Sequence, residues 1–320
     1  MNNFLQENSQ NTESSISKNP RRSVLKDAGP VLVDGTRKSR KSSENIGVIF
    51  CHKDLPLSNN PFYSRVLEGI EAALVMNNYN LVLHLLPQNE NITLPKMIRD
   101  ELVDGLMLVG VVSESFVERI SKLNLPAVLV DPRYRQSFFP QILIDNERGA
   151  FLASTHLIRK GHRRIGFISA DLDRLSFQTR FKGYRKALEY REIEFDKALV
   201  VNGGLEEGYE HVTRLLSLSN PPTAIFSAND INAIYGYKAV LDKGLKIPDD
   251  ISFIGFDDIG LAKISSPPLT TIRVYKEEMG SIAVRRLLSV LQQTESEPST
   301  SLVPVRLVER DSVMDISKRR

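Results

Sequence analysis

The sequence predicts an α/β protein with two doubly wound, mostly parallel sheets. From residue 46 onward, short apolar runs alternate with amphipathic stretches of helical period, the pattern of strands joined by crossover helices. The runs are nearly continuous in Val, Ile and Leu, as strands covered on both faces require. Nine such runs divide more easily into two sheets than one.

Ile46–Phe50 (IGVIF) opens the structured body. A helix follows over Tyr63–Asn77, with Val66, Ile70, Ala73 and Leu74 on one stripe. Leu81–Leu86, Leu106–Val112, Ala127–Val130 and Ile142–Ile144 are the next strands. A helix over Ala150–Lys160 stops at Gly161 and leads to the strand Ile165–Ser169. Phe181–Tyr190 reads as helix and Ala198–Val201 as strand. The most informative stretch is Pro222–Ile259. There the run Ala224–Ser227 meets Asn229-Asp230, which can cap a helix over Ile231–Lys243. Gly244 ends that helix, because a residue without Cβ tolerates the left-handed cap. The strand Ile251–Gly255 then delivers Asp257-Asp258 at its carboxyl end. The helix Glu277–Leu291, striped by Met279, Ala283, Leu287 and Val290, completes the set. Polar groups at the carboxyl ends of parallel strands mark where open α/β sheets bind ligands.

Composition narrows the functional classes. The 320 residues carry a net charge of +3. Residues 1–45 hold eight Lys/Arg and five acids, which accounts for all of it. The remainder is near neutral and suits a small-molecule ligand better than a polyanion. Cys51 is the lone cysteine, so no intramolecular disulfide forms and a thiolate metal site is not expected. The five histidines, His52, His84, His156, His162 and His211, lack metal-ligand spacing. No G-x-G-x-x-G, G-x-x-x-x-G-K-[ST] or G-x-S-x-G occurs. Neighbouring Asp257 and Asp258 at a strand end point apart, which argues against paired-carboxylate catalysis. The expectation is a non-enzyme without metal or cofactor. With no signal-peptide stretch and no membrane-spanning run, it is expected in the cytoplasm.

Several stretches, taken in order, carry a family resemblance. They are IGVIF, Asn60-Pro61-Phe62-Tyr63, Val103-Asp104-Gly105, Asp145–Gly149, His156–Ser169, Arg180–Tyr184, FSAND, KIPDDISFIGFDDI and Ser266–Val274. Residues 46–320 resemble the effector-binding core of the LacI/GalR family of transcription regulators. The resemblance implies a periplasmic-binding-protein-like type I fold, with two subdomains, three crossovers and an effector between them. By it, residues 46–145 plus 274–298 form the N-terminal subdomain. Residues 146–273 plus 299–320 form the C-terminal one. It also implies a homodimer and operator DNA as a partner. Residues 1–45 are rich in Ser, Asn, Lys and Arg and read as a basic, poorly ordered segment. They show no recognisable helix-turn-helix, so this reading makes them a truncated or degenerate head. The nearest fragment, Ser17–Ala28, has Pro20 where a recognition helix would start. The DNA-contacting residues are therefore unknown. The basic run Arg37–Lys41 is either a phosphate contact or a solvated linker.

The resemblance also points to effector contacts. Phe62 and Tyr63 stand at the corner that meets the effector in the family, where a ring stacks on a sugar or base; the alternative is a staple at the helix start. Arg174, Ser176 and Arg180 match cleft positions. A guanidinium fork there would hold vicinal hydroxyls, although a solvated helix end is the plainer reading. Asn229 and Asp257 offer acceptors at strand ends and compete with capping and turn roles. Asp131 is a further polar contact, Phe226 either an apolar wall or core, and Asp145 structural. The expected function is a ligand-responsive transcription regulator whose effector is a sugar or nucleoside-like molecule. The alternative is a sugar-binding sensor without DNA binding.

Overall fold

A computed structural model describes residues 42–51, 56–86, 93–133, 138–294 and 298–317. The expectations for the basic head lie outside the described residues. Twelve strands and nine α-helices are described. The strands are β1 Asn45–Cys51, β2 Asn80–Leu86, β3 Gly105–Gly110, β4 Ala127–Val130, β5 Gln141–Ile144, β6 Ile165–Ser169, β7 Val200–Asn202, β8 Ala224–Ser227, β9 Ser252–Asp257, β10 Thr270–Val274, β11 Thr300–Val303 and β12 Val305–Val308. The helices are α1 Tyr63–Met76, α2 Lys96–Arg99, α3 Glu114–Ser121, α4 Asn146–Arg159, α5 Leu175–Tyr190, α6 Gly208–Leu216, α7 Asp230–Asp242, α8 Gly260–Ile264 and α9 Lys276–Leu291.

The strands form two six-stranded sheets, in the orders β11-β5-β4-β3-β1-β2 and β12-β10-β9-β8-β6-β7. Every pairing is parallel except β10 with β12. Buried runs such as GLMLVG in β3 and AIFS in β8 are covered on both faces, which explains their unbroken apolar character. The expected fold class is therefore the observed one.

The chain passes between the sheets three times. β5 of the first sheet leads through Asp145 into α4, which packs on β8, β9 and β10 of the second. β10 of the second leads through Tyr275 into α9, which packs on α1, β3 and β4 of the first. β11 of the first leads through Pro304 into β12 of the second. The third passage corrects the boundary expected between 298 and 299, because β11 pairs with β5 from Thr300 to Val303. The Asp145 N–H donates to the Val303 carbonyl at 3.0 Å and ties two passages together. Ile144, Val274 and Val303 at the passages belong to one apolar core that reaches Met107 in one lobe and Phe167 in the other.

Local chemistry explains where the elements begin. α4 starts at Asn146, four residues before the expected position, because the Asp145 carboxylate accepts from the Arg148 N–H at 3.4 Å. Ser113 caps α3 in the same way, accepting from Phe116 N–H at 3.3 Å. The stretch expected as a strand over 198–201 begins as a 3-10 turn at Lys197–Leu199, capped by Asp196.

Candidate functional site

The strand ends of both sheets converge where the lobes face each other. Asp131 directly follows β4, and Asp257 is the last residue of β9. Both take left-handed backbone angles, φ +50° and +109°, and Asp258 follows at +52°. Residues with a Cβ hold such angles only when their surroundings fix them. At Asp257 and Asp258 the fixing groups are cations. Asp258 accepts from Arg273 Nε at 2.6 Å and from Arg310 Nη2 at 2.5 Å. Lys276 Nζ donates to the carbonyls of Asp257, Asp258 and Val274 at 2.6, 3.2 and 3.2 Å. Burial raises the Asp258 carboxyl, but Arg310 and Arg273 outweigh it and leave the group below its ordinary range.

Arg180 is buried in α5 and positions the Asp257 side chain. Its Nε donates to Asn146 Oδ1 at 2.8 Å and its Nη1 to the Ala228 carbonyl at 2.5 Å. Its Nη2 lies 3.1 Å from Asp257 Oδ1, as an ion pair without hydrogen-bond alignment. The guanidinium lies 3.7 Å from the Phe256 ring centroid and 5.5 Å from that of Phe177, so stacking adds to its fixation.

From the opposite lobe, Tyr63 Oη donates to Asp131 Oδ2 at 2.7 Å. Burial pushes the Asp131 carboxyl up, against the pull of Tyr63 and Arg180. Burial likewise raises Asp257, opposed by Arg180 and Lys276 and reinforced by Asp131. Two carboxyl groups from different lobes thus sense each other in one desolvated space. Asn229 Oδ1 caps α7 by accepting from Asn232 N–H at 2.8 Å, while its buried Nδ2 has no partner among the described residues. An unspent buried donor is costly, and a hydroxyl-bearing ligand would satisfy it.

The other candidates divide. Phe62 packs edge-to-face on Tyr63, with ring centroids 5.0 Å apart and Lys276 Nζ 6.0 Å from its own. It therefore faces the same space, and the N–H groups of both aromatics are held by Asn60 Oδ1. Arg174, just before α5, lies 5.8 Å from the Phe177 centroid. Ser176 lines a flanking groove that it shares with Asp131. Phe226 is fully buried, edge-to-face on Phe167 at 5.4 Å. It is a core residue, which corrects the apolar-wall reading: along β8, position 226 points into the packed layer beneath the sheet.

Sequence reasoning missed Lys276 and Asn146. Both sit immediately after a passage between the sheets; Asn146 lies within the Asp145–Gly149 stretch of the family resemblance without being singled out there, and nothing local marks Lys276. Between the lobes, Arg133 Nη2 also meets Asp171 Oδ2 at 3.0 Å, and the Leu175 N–H donates to the Arg133 carbonyl at 2.9 Å.

Comparison with known proteins agrees with this geometry. The family described as periplasmic binding protein-like domain matches residues 154–313. The chain is 33% identical over 268 residues to the ribose operon repressor of Haemophilus influenzae, covering 81% of this chain and 79% of that protein. It is 34% identical over 270 residues to the HTH-type transcriptional repressor PurR of Yersinia enterocolitica, covering 81% and 78%. Among solved structures, a LacI family transcriptional regulator from Enterococcus faecium with bound ribose superposes with a TM-score of 0.74 at 28% identity. That match covers 85% of this chain and 99% of the other. Two lobes of parallel sheet, thrice joined and meeting at polar strand ends, define a periplasmic-binding-protein-like sensor core. The chain belongs to the LacI/GalR family of transcriptional regulators.

Proposed function

We propose that this protein is a ligand-responsive transcription regulator whose lobes close on a small polar effector, a sugar or a nucleoside-like molecule. The observation that carries the reading is the opposition of Asp131 and Asp257 from different lobes, beside the unspent Asn229 donor. Carboxylates accept from hydroxyls, Asn229 Nδ2 donates to one, and Phe62 offers an apolar face for the ring. The ribose bound in the Enterococcus faecium relative supports this chemical class. Closure changes how the lobes are oriented. In a homodimer that change is felt at operator DNA, so effector and operator affinity are linked reciprocally, typically by ~1–3 kcal/mol.

The test is calorimetric titration of the protein with pentoses, hexoses and nucleosides, beside Asp257→Ala. The variant is expected to keep its fold, because Lys276 grips the main chain of residue 257 rather than its side chain, and to lose measurable binding. Unchanged affinity would remove Asp257 from the site.

A further inference from the structure

Four cations surround the turn that carries Asp257 and Asp258. Three belong to the lobe of that turn: Arg273 and Arg310 hold the Asp258 carboxylate, and Arg180 lies beside that of Asp257. The fourth, Lys276, is the first residue of α9, which packs on α1, β3 and β4 of the other lobe. An ammonium has three donors. Those of the buried Lys276 reach back across the passage to the carbonyls of Asp257, Asp258 and Val274. Burial pushes its pKa down, and the carboxyls of Asp257, Asp230, Asp258 and Glu277 oppose that. The turn is already fixed from within its own lobe, so what Lys276 adds is a tie to the other.

The far end of the tie is stiff. A Cβ on Gly69 of α1 would lie 2.0 Å from the carbonyl oxygen of Glu277, the residue after Lys276, so the two helices meet backbone to backbone there. α1 begins at Tyr63, which is bound to Asp131, and the Phe62 ring before it lies 6.0 Å from Lys276 Nζ. The starts of two interlocked helices therefore carry both the first lobe's aromatic contacts and the grip on the second lobe's turn. A rotatable head on a flexible four-carbon stem keeps its acceptors while the angle between lobes changes, which a planar guanidinium fork does not.

We propose that Lys276 is a positioning residue for the response to effector rather than for its binding: it ties the Asp257–Asp258 turn to the α1–α9 pair, so that occupancy at one lobe is felt in the helices of the other. The inference rests on the cleft reading above.

The experiment is hydrogen exchange read by mass spectrometry, with and without saturating ligand, on the full chain and on Lys276→Met and Lys276→Gln. The probes are ribose, glucose, uridine and adenosine, each first titrated by calorimetry, and thermal melts verify folding. In the unsubstituted protein, ligand is expected to slow exchange about five-fold or more at β9 and its turn, and also in α1 and α9. In both variants affinity should stay within about ten-fold and the slowing at β9 should persist, while that in the two helices disappears. Helix slowing that survives both substitutions, loss of all binding in both variants, or failure of both to fold would overturn the proposal. The ligand-free proteins give a separate check. Amides of α1 should exchange about ten-fold faster in Lys276→Met while those of β3 and β8 keep their rates; unchanged α1 rates would also overturn it. Failure of the cleft reading looks different: no probe binds, or Asp257→Ala leaves binding as it was. The ligand-free comparison then decides by itself whether the tie exists.

Discussion

His162 shows how one side chain links the fold to pH. Its Nε2 lies 3.2 Å from the Met314 carbonyl and its Nδ1 2.9 Å from Thr223 Oγ1. The carbonyl only accepts, so Nε2 carries the proton and Nδ1 takes the threonine hydroxyl. Burial lowers the pKa from the usual 6.5 to about 4, outweighing Met314 and Asp315. Between those values the unfolded chain binds a proton that the folded chain does not. The group's contribution is complete above pH ~6.5 and is lost as pH falls towards ~4, on the order of 3 kcal/mol. Melting temperature should drop over that interval, and His162→Gln should flatten the drop; an unchanged profile would contradict the assignment. The residues of the candidate site were legible to different degrees. Asn229 and Asp257 stand at recognisable strand ends, whereas Arg180, inside α5, is marked only by the family resemblance. Phe226 misleads because an aromatic beside such an end can face either the cleft or the core, and only the strand's register decides.

Helix pairs show a different dependence on small residues. α1 crosses α9 so closely that a Cβ on Gly69 would lie 2.0 Å from the Glu277 carbonyl oxygen. A Cβ on Gly280 would lie 2.3 Å from that of Val66. The obstacle is backbone on both sides, so neither helix can yield by a rotamer change. Gly69→Ala is expected to destabilise the protein by about 1–3 kcal/mol or more, read as a lower midpoint in urea, even though alanine favours the helix itself. The long helices and the first nine strands were legible because burial imposes its period on the sequence. β10, β11 and β12 were not. TTIRV carries three polar residues, and the four-residue runs TSLV and VRLV are partly exposed. Their strand character comes from pairing with β5, β9 and each other's sheet partners, which local sequence cannot encode. α5 likewise extends six residues before its expected start, through LSFQTR, because packing against α4 overrides weak local preference.

At the scale of the whole molecule, the Arg133–Asp171 pair is a clasp on the faces that must part for a ligand to enter. Its side chains are only 14% and 32% exposed, so water screens the pair less than an open surface bridge. Asp171→Ala is expected to shift the unliganded protein towards wider lobe separation, visible as a larger radius of gyration in X-ray scattering. Effector binding should weaken roughly five-fold, about 1 kcal/mol. An unchanged scattering profile and affinity would show that the pair does not govern closure.

The late return of α9 and β11 to the first sheet sets a timetable for synthesis. The ribosome releases β1–β5 first, yet their sixth strand is the last but one to emerge, and α9 waits until after β10. The lobe begun earliest is therefore among the last pieces finished, and the face of α1 around Gly69 waits for Gly280 and its neighbours on α9. Such a chain offers an apolar face to chaperones throughout translation, and a release factor acting at residue 275 would leave that face permanently bare.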